Sequence, residues 1–120
     1  MIATLFCALI PTLPGCSAYV DYVAPIPRII HNEQFYSGKA VRVAGRVKAL
    51  NQWRSRDGKF LYQAFFVCQS RDCIHVFLES PKPIRNDAAV AVRGSYYGEY
   101  RNGKTVTHNE IEATEVLPTE

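Results

Sequence analysis

The 120-residue sequence predicts a small all-β domain behind an apolar leader. Three observations carry that expectation. Val, Ile, Tyr, Phe and Thr dominate after the leader, and Gly or Pro interrupts them at short intervals, as in strand-and-turn proteins. Val41 to Ala49 alternates in side-chain character, the period of a half-buried strand. Asp57-Gly58 and Asn102-Gly103 sit between β-prone runs, where Gly, Asp and Asn accept the positive φ of hairpin turns.

The elements follow in chain order. Ile26 to Tyr36 predicts one short helix. Pro27 suits its first turn, where an N–H has no partner in any case, and Ile29, Ile30 and Phe35 form its apolar side before Ser37-Gly38 ends it. In the first strand Val41, Val43, Gly45, Val47 and Ala49 share one face, and Arg42, Ala44, Arg46 and Lys48 share the other. Gly45 permits a sharp bend or a close backbone approach. Arg56-Asp57-Gly58-Lys59 turns the chain into a second strand, Phe60 to Cys68. The loop Gln69-Ser70-Arg71-Asp72 leads to a third, Cys73 to Glu79. Pro81 and Pro83 then break the sheet, and Asp87 to Ala89 makes one turn. A fourth strand, Ala89 to Tyr97, and a fifth, Thr105 to Val116, flank the Asn102-Gly103 turn.

Cys68 and Cys73 bracket the four-residue loop. In an oxidising compartment this spacing predicts a cross-strand disulfide. A metal site is the rival, but it needs further ligands, and His75 alone does not supply them; no C-x-x-C occurs, so no metal is expected. Pairing Cys68 with Cys73 sets the register. Phe66 falls opposite His75 and Ala64 opposite Phe77, while Phe65 faces Val76 and Val67 faces Ile74. The second set is apolar and marks the core face. Tyr62, Phe66, His75 and Phe77 then point outward with Arg42, Arg46 and Lys48. Gln63 falls on the core side, an anomaly. A turn centred on Asp57-Gly58 places Trp53 opposite Tyr62, but counting back from there mixes the faces at Lys48. A β-bulge between Ala49 and Trp53 repairs the mismatch.

The order of elements, together with Tyr36-Ser37-Gly38-Lys39-Ala40-Val41-Arg42-Val43-Ala44-Gly45-Arg46-Val47, Val92-Arg93-Gly94 and Ile111-Glu112-Ala113-Thr114-Glu115-Val116, resembles the small OB domains of bacteria. The resemblance implies a five-stranded Greek-key OB-fold barrel with a short N-terminal helix. Little room is left between Ser80 and Ala88 for the helix that often joins strands three and four of that fold.

The leader Ile2 to Ile10 is uncharged, and no Lys or Arg occurs before Arg28. It is shorter than the ~20 residues that span a bilayer and fits a signal-peptide core. The run Leu13-Pro14-Gly15-Cys16 resembles the lipobox of bacterial lipoproteins. That resemblance implies cleavage before Cys16, lipid on Cys16, and residence in the bacterial cell envelope, membrane-anchored and facing the periplasm. Two other readings stay open: an ordinary cleaved signal, since Cys16-Ser17-Ala18 has the small-x-small form, and an apolar helix opening a cytosolic protein. The expected organisation is a signal peptide at 1–15, a lipid-attached tether at 16–25 and an OB-fold domain at 26–120.

Net charge is a mild +3. Lys39 to Lys59 nevertheless holds seven bases against one acid, whereas four acids and no base follow from Glu110 onward. A basic stripe attracts anions; equally, such residues keep strand edges from pairing. No catalytic motif or triad spacing stands out, so no enzyme and no cofactor is expected. His31, His75 and His108 read as ordinary surface residues. The expected function is a non-enzymatic binding or protein-interaction module, monomeric, tethered to the membrane by lipid and facing an envelope protein or anionic ligand. The alternative is a single-stranded nucleic-acid-binding OB domain. Both use Arg42, Arg46, Lys48, Trp53, Tyr62, Phe66, His75 and Phe77, because exposed aromatics beside bases form a stacking platform.

Overall fold

In the computed structural model, which describes residues 22–119, the longest early strand serves two neighbours. This strand, β2 (Ala40–Arg54), pairs antiparallel through Ala40–Arg46 with β5 (Ala89–Asn102) and through Arg46–Arg54 with β3 (Leu61–Gln69). The exchange falls at Arg46, beside Gly45. A Cβ on Gly45 would lie 2.5 Å from the Cys68 carbonyl oxygen, so the missing side chain is what lets β3 approach there. β3 continues antiparallel into β4 (Asp72–Glu79), β4 pairs parallel with β6 (Thr105–Pro118), and β6 returns antiparallel to β5. The ring β2-β3-β4-β6-β5-β2 is therefore closed, and its five strands leave no free edge between them. A two-residue strand, β1 (Tyr22–Val23), lies parallel to β2 at Val41 and Arg42. Tyr22, Val23 and the buried Ala24, expected in the tether, thus join the fold. The expected signal peptide, Cys16 and the tether up to residue 21 lie outside the described residues.

Alternation fills the barrel. Val41, Val43 and Val47 of β2, Phe65 and Val67 of β3, Ile74 and Val76 of β4, Val92 and Tyr96 of β5 and Ile111 of β6 are buried in one cluster. The expected helix is two single turns, α1 (Ile26–Ile30) and α2 (Glu33–Tyr36). The chain breaks at His31-Asn32, where Asn32 leaves helical geometry and its side-chain amide donates back to the Arg28 carbonyl oxygen (2.7 Å). The break rotates the second turn. Ile26, Ile29 and Tyr36 are buried, while Phe35, expected on the apolar side, is exposed.

The disulfide Cys68–Cys73 is present, and the β3–β4 register pairs Phe66 with His75, Ala64 with Phe77, Phe65 with Val76 and Val67 with Ile74, as expected. Gln69 and Asp72 also pair, so only Ser70-Arg71 turns. A β-bulge lies between Lys48 and Asn51, at the start of the expected window. There Ala49 takes a φ of 53° and is exposed rather than core-facing. Trp53 sits opposite Tyr62 as the turn predicted. The turn itself is wider than two residues: Gly58 N–H donates to the Ser55 carbonyl (2.9 Å), and Asp57 accepts from the Ser55 hydroxyl (2.6 Å) and Lys59 N–H (3.0 Å). Those donors hold the Asp57 carboxyl below its ordinary range.

No helix joins β4 to β5. Residues 80–88 cross the barrel end as a loop, and the core-facing Gln63 fastens it. Gln63 Oε1 accepts from Ile84 N–H (2.8 Å) and from the Gln52 amide (2.8 Å), and its own amide donates to the Lys82 carbonyl (2.9 Å). The apparent anomaly is a satisfied latch. Gln63→Leu fills similar space but strands these partners; it is expected to cost about 1–3 kcal/mol, read as a lower urea midpoint with an unchanged slope.

Tyr96 is fully buried beside α2, and its hydroxyl donates to the Asn109 side-chain oxygen. Burial, with the charge of Glu33 adding to it, pushes its pKa up to about 12. The folded value lies above the unfolded one of about 10. Its contribution to stability is therefore complete below about pH 10 and is lost as pH rises through about 12. A phenolate absorbance titration is expected to show a late-ionising step that Tyr96→Phe removes.

Candidate binding face

The outward positions of β3 and β4 converge with the arm of β2 on one surface. β2 contributes Trp53 because the bulge at Lys48/Asn51 restores its register with β3. The rings of Trp53, Tyr62 and Phe77 form a continuous set: Trp53 to Tyr62 6.0 Å, Trp53 to Phe77 6.2 Å, and Tyr62 to Phe77 6.0 Å with the last two planes only 22° apart. Trp53 is 43% exposed. Farther along β3, Phe66 is 41% exposed and meets the His75 ring edge-on at 5.2 Å and 67°. Ala64, opposite Phe77, separates the two groups with a small side chain. The strip therefore offers exposed aromatic surface at Trp53 and Phe66, with Tyr62, Phe77 and His75 half-buried beside them.

Charges lie on either flank. On the β2 side Arg46 stands opposite Cys68 and Lys48 opposite Phe66. Both reach the β4–β5 loop: Arg46 donates to the Asp87 carbonyl (2.7 Å), and Lys48 pairs with the Asp87 carboxylate. The Lys48 ammonium, with Arg46 adding to it, holds the Asp87 carboxyl below the usual carboxylate range. Arg54, Arg56 and Lys59 extend the basic flank to the hairpin tip and are exposed. On the β6 side, Glu110 lies opposite His75 and Glu112 opposite Phe77. Glu110 is 7% exposed, and its Oε1 lies 2.9 Å from His75 Nδ1.

Of the eight residues expected at the site, seven share this surface: Arg46, Lys48, Trp53, Tyr62, Phe66, His75 and Phe77. Arg42 does not. It precedes the exchange point, stands opposite Arg93 of β5 and Val23 of β1, and so lies around the barrel. Simple alternation put it with Arg46, but the strand curls at Gly45 between them. Glu110 and Asp87 were missed. Each reaches the face from a distant element, and only the parallel β4–β6 pairing or the loop path reveals it. Phe60 was also missed as a surface residue: it is 47% exposed at the base of the basic hairpin, where apolar character in sequence suggested an ordinary strand start. Among the described residues, no group of three or more His, Cys, Asp or Glu is placed to hold a metal ion.

The closed ring, the parallel β4–β6 contact and the long strand β2 shared by β3 and β5 decide the architecture. The fold is an OB-fold. No protein-family model and no curated protein matches the sequence. Solved structures do match in shape. A chain of yeast Stn1 and Ten1 aligns with a TM-score of 0.56 at 10% identity, over 94% of this chain and 69% of its own. The OBody AM1L10, bound to hen egg-white lysozyme, aligns with a TM-score of 0.54 at 21% identity, over 83% and 95%. The second single-stranded DNA binding protein of Mycobacterium smegmatis, SSBb, aligns with a TM-score of 0.49 at 22% identity, over 66% and 84%. For the Stn1–Ten1 chain and the OBody, at these identities, the likeness is one of fold.

Proposed function

We propose that this domain is a non-enzymatic binding module that holds a single-stranded nucleic acid across the outer face of β2, β3 and β4. One observation carries the reading: the exposed rings of Trp53 and Phe66, with the half-buried Tyr62 and Phe77 packed against Trp53, lie beside the Arg46, Lys48 and Arg54 flank on a single surface of an OB barrel. Stacking on aromatic side chains and a basic track for phosphates are the two terms that bind single strands without a sequence code. This is also the surface of the fold that takes oligonucleotides in other OB proteins.

Trp53 is the sole tryptophan, so its fluorescence reports on the platform directly. Titration with a short single-stranded oligonucleotide at low salt is expected to quench it. The affinity should fall with salt at a log–log slope of about −0.7 per phosphate neutralised. No quenching and no binding at low salt would remove the nucleic-acid reading.

A second reading is favoured by different observations. The Leu13-Pro14-Gly15-Cys16 run follows an uncharged leader, and the Cys68–Cys73 disulfide sits beside the platform, a bond that persists in oxidising compartments. In this reading Cys16 carries lipid, the domain is held at the bacterial envelope membrane, and the same face takes an envelope protein. Expression in a bacterium with membrane fractionation and intact-mass measurement tests it: wild type gains a lipid adduct and Cys16→Ser does not. A wild-type chain without an adduct overturns the anchor.

A further inference from the structure

His75 is a polar side chain set inside the aromatic strip, and its ring is held in one orientation. Nδ1 lies 2.9 Å from Oε1 of the nearly buried Glu110, which the parallel register places opposite it. A carboxylate oxygen accepts hydrogen bonds, so this contact selects the tautomer with the proton on Nδ1, in which Nε2 is an acceptor. No described residue donates to Nε2. The neighbouring Phe66 is exposed, and the His75 ring stands at 67° to it. A flat base laid on Phe66 has the His75 ring as its neighbour, 5.2 Å from Phe66 between centroids.

We infer that His75 makes this platform selective for nucleobases that carry an amino group, with Nε2 accepting from that group, and that Glu110 is the positioning residue that fixes the tautomer. The inference rests on the nucleic-acid reading above and goes beyond it, because stacking alone does not distinguish bases of similar size.

The test uses the full chain at about pH 8. Two single-stranded probes are compared by Trp53 fluorescence: a deoxyadenosine oligomer, and the same oligomer with unsubstituted purine replacing adenine, which keeps the ring system and lacks the amino group. Wild type is expected to bind the adenine probe about 3- to 10-fold tighter, the worth of one hydrogen bond. His75→Phe keeps a ring for stacking and should bind both probes alike. Glu110→Gln should also erase the preference, since a glutamine amide can donate to Nδ1 and release the other tautomer. Equal affinity of wild type for the two probes overturns the inference and leaves the proposed function standing. Binding of neither probe overturns both.

Discussion

Gly94→Ala is expected to destabilise the domain by about 3 kcal/mol or more, a large share of the ~5–15 kcal/mol that holds a small domain together. Gly94 lies where β5 passes over an irregularity in β6: Arg93 pairs with Glu115 and Gly94 with Ala113, leaving Thr114 extra. A Cβ at Gly94 would collide with the Glu112 carbonyl oxygen and lie 2.7 Å from the Ala113 Cα. These are backbone atoms of the neighbouring strand and cannot rotate aside, so relief requires parting β5 from β6. The informative control is Gly58→Ala. Gly58 has a φ of 73° and nothing within 4 Å of an added Cβ, so only the left-handed backbone is penalised, at about 1–2 kcal/mol. Urea unfolding of the two variants separates crowding from conformation. A Gly94→Ala midpoint equal to that of Gly58→Ala would mean that β6 gives way more easily than its pairing indicates.

Trp53→Ala is expected to weaken single-strand binding by about 1–3 kcal/mol, roughly 5- to 150-fold in Kd. Trp53 touches both Tyr62 and Phe77, so its loss removes one stacking face and loosens two others. Fold stability should change little, because the ring is 43% exposed and lies on the arm beyond the barrel core. Phe35→Ala is the matched control: its ring is 53% exposed but clusters with Tyr22 and Tyr36 instead of the platform. With Trp53 gone, binding is followed by fluorescence polarisation of a labelled oligonucleotide. Equal losses in the two variants would mean that generic stickiness, and not this strip, holds the ligand.

Much of this site was legible in the sequence because period-2 alternation and one covalent pair constrain a sheet tightly. Once Cys68 faces Cys73, every β3–β4 partner follows by counting, and the apolar pairs choose the inner face. The mismatch that this created at Lys48 had a single cheap repair, a bulge, and the chain contains it. Counting fails where a strand changes partners. Arg42 and Arg46 are equivalent in alternation, yet β5 flanks one and β3 the other. It fails again where elements far apart in sequence meet: neither the β4–β6 pairing that brings Glu110 to His75 nor the loop that brings Asp87 to Lys48 leaves a local signature. Gln63 looked misplaced for the same reason, since its partners lie on β2 and in the 80–88 loop. The helix broke where the Asn32 side-chain amide takes the Arg28 carbonyl oxygen, a choice that propensity alone does not fix.

The two flanks of the aromatic strip have a consequence for how a ligand travels over it. Arg46, Lys48 and Arg54 stand on the β2 side and Glu110 and Glu112 on the β6 side, so residues of opposite charge border the strip. A uniformly anionic strand is repelled from the β6 border and drawn toward the hairpin of Arg54, Arg56 and Lys59. It would therefore enter sideways and come to rest with its phosphates over β2 and its bases over β3 and β4. On the proposed function the barrel would work as a rudder: its rings would set how firmly a chain is held, and its lopsided charge which edge of the chain faces which border.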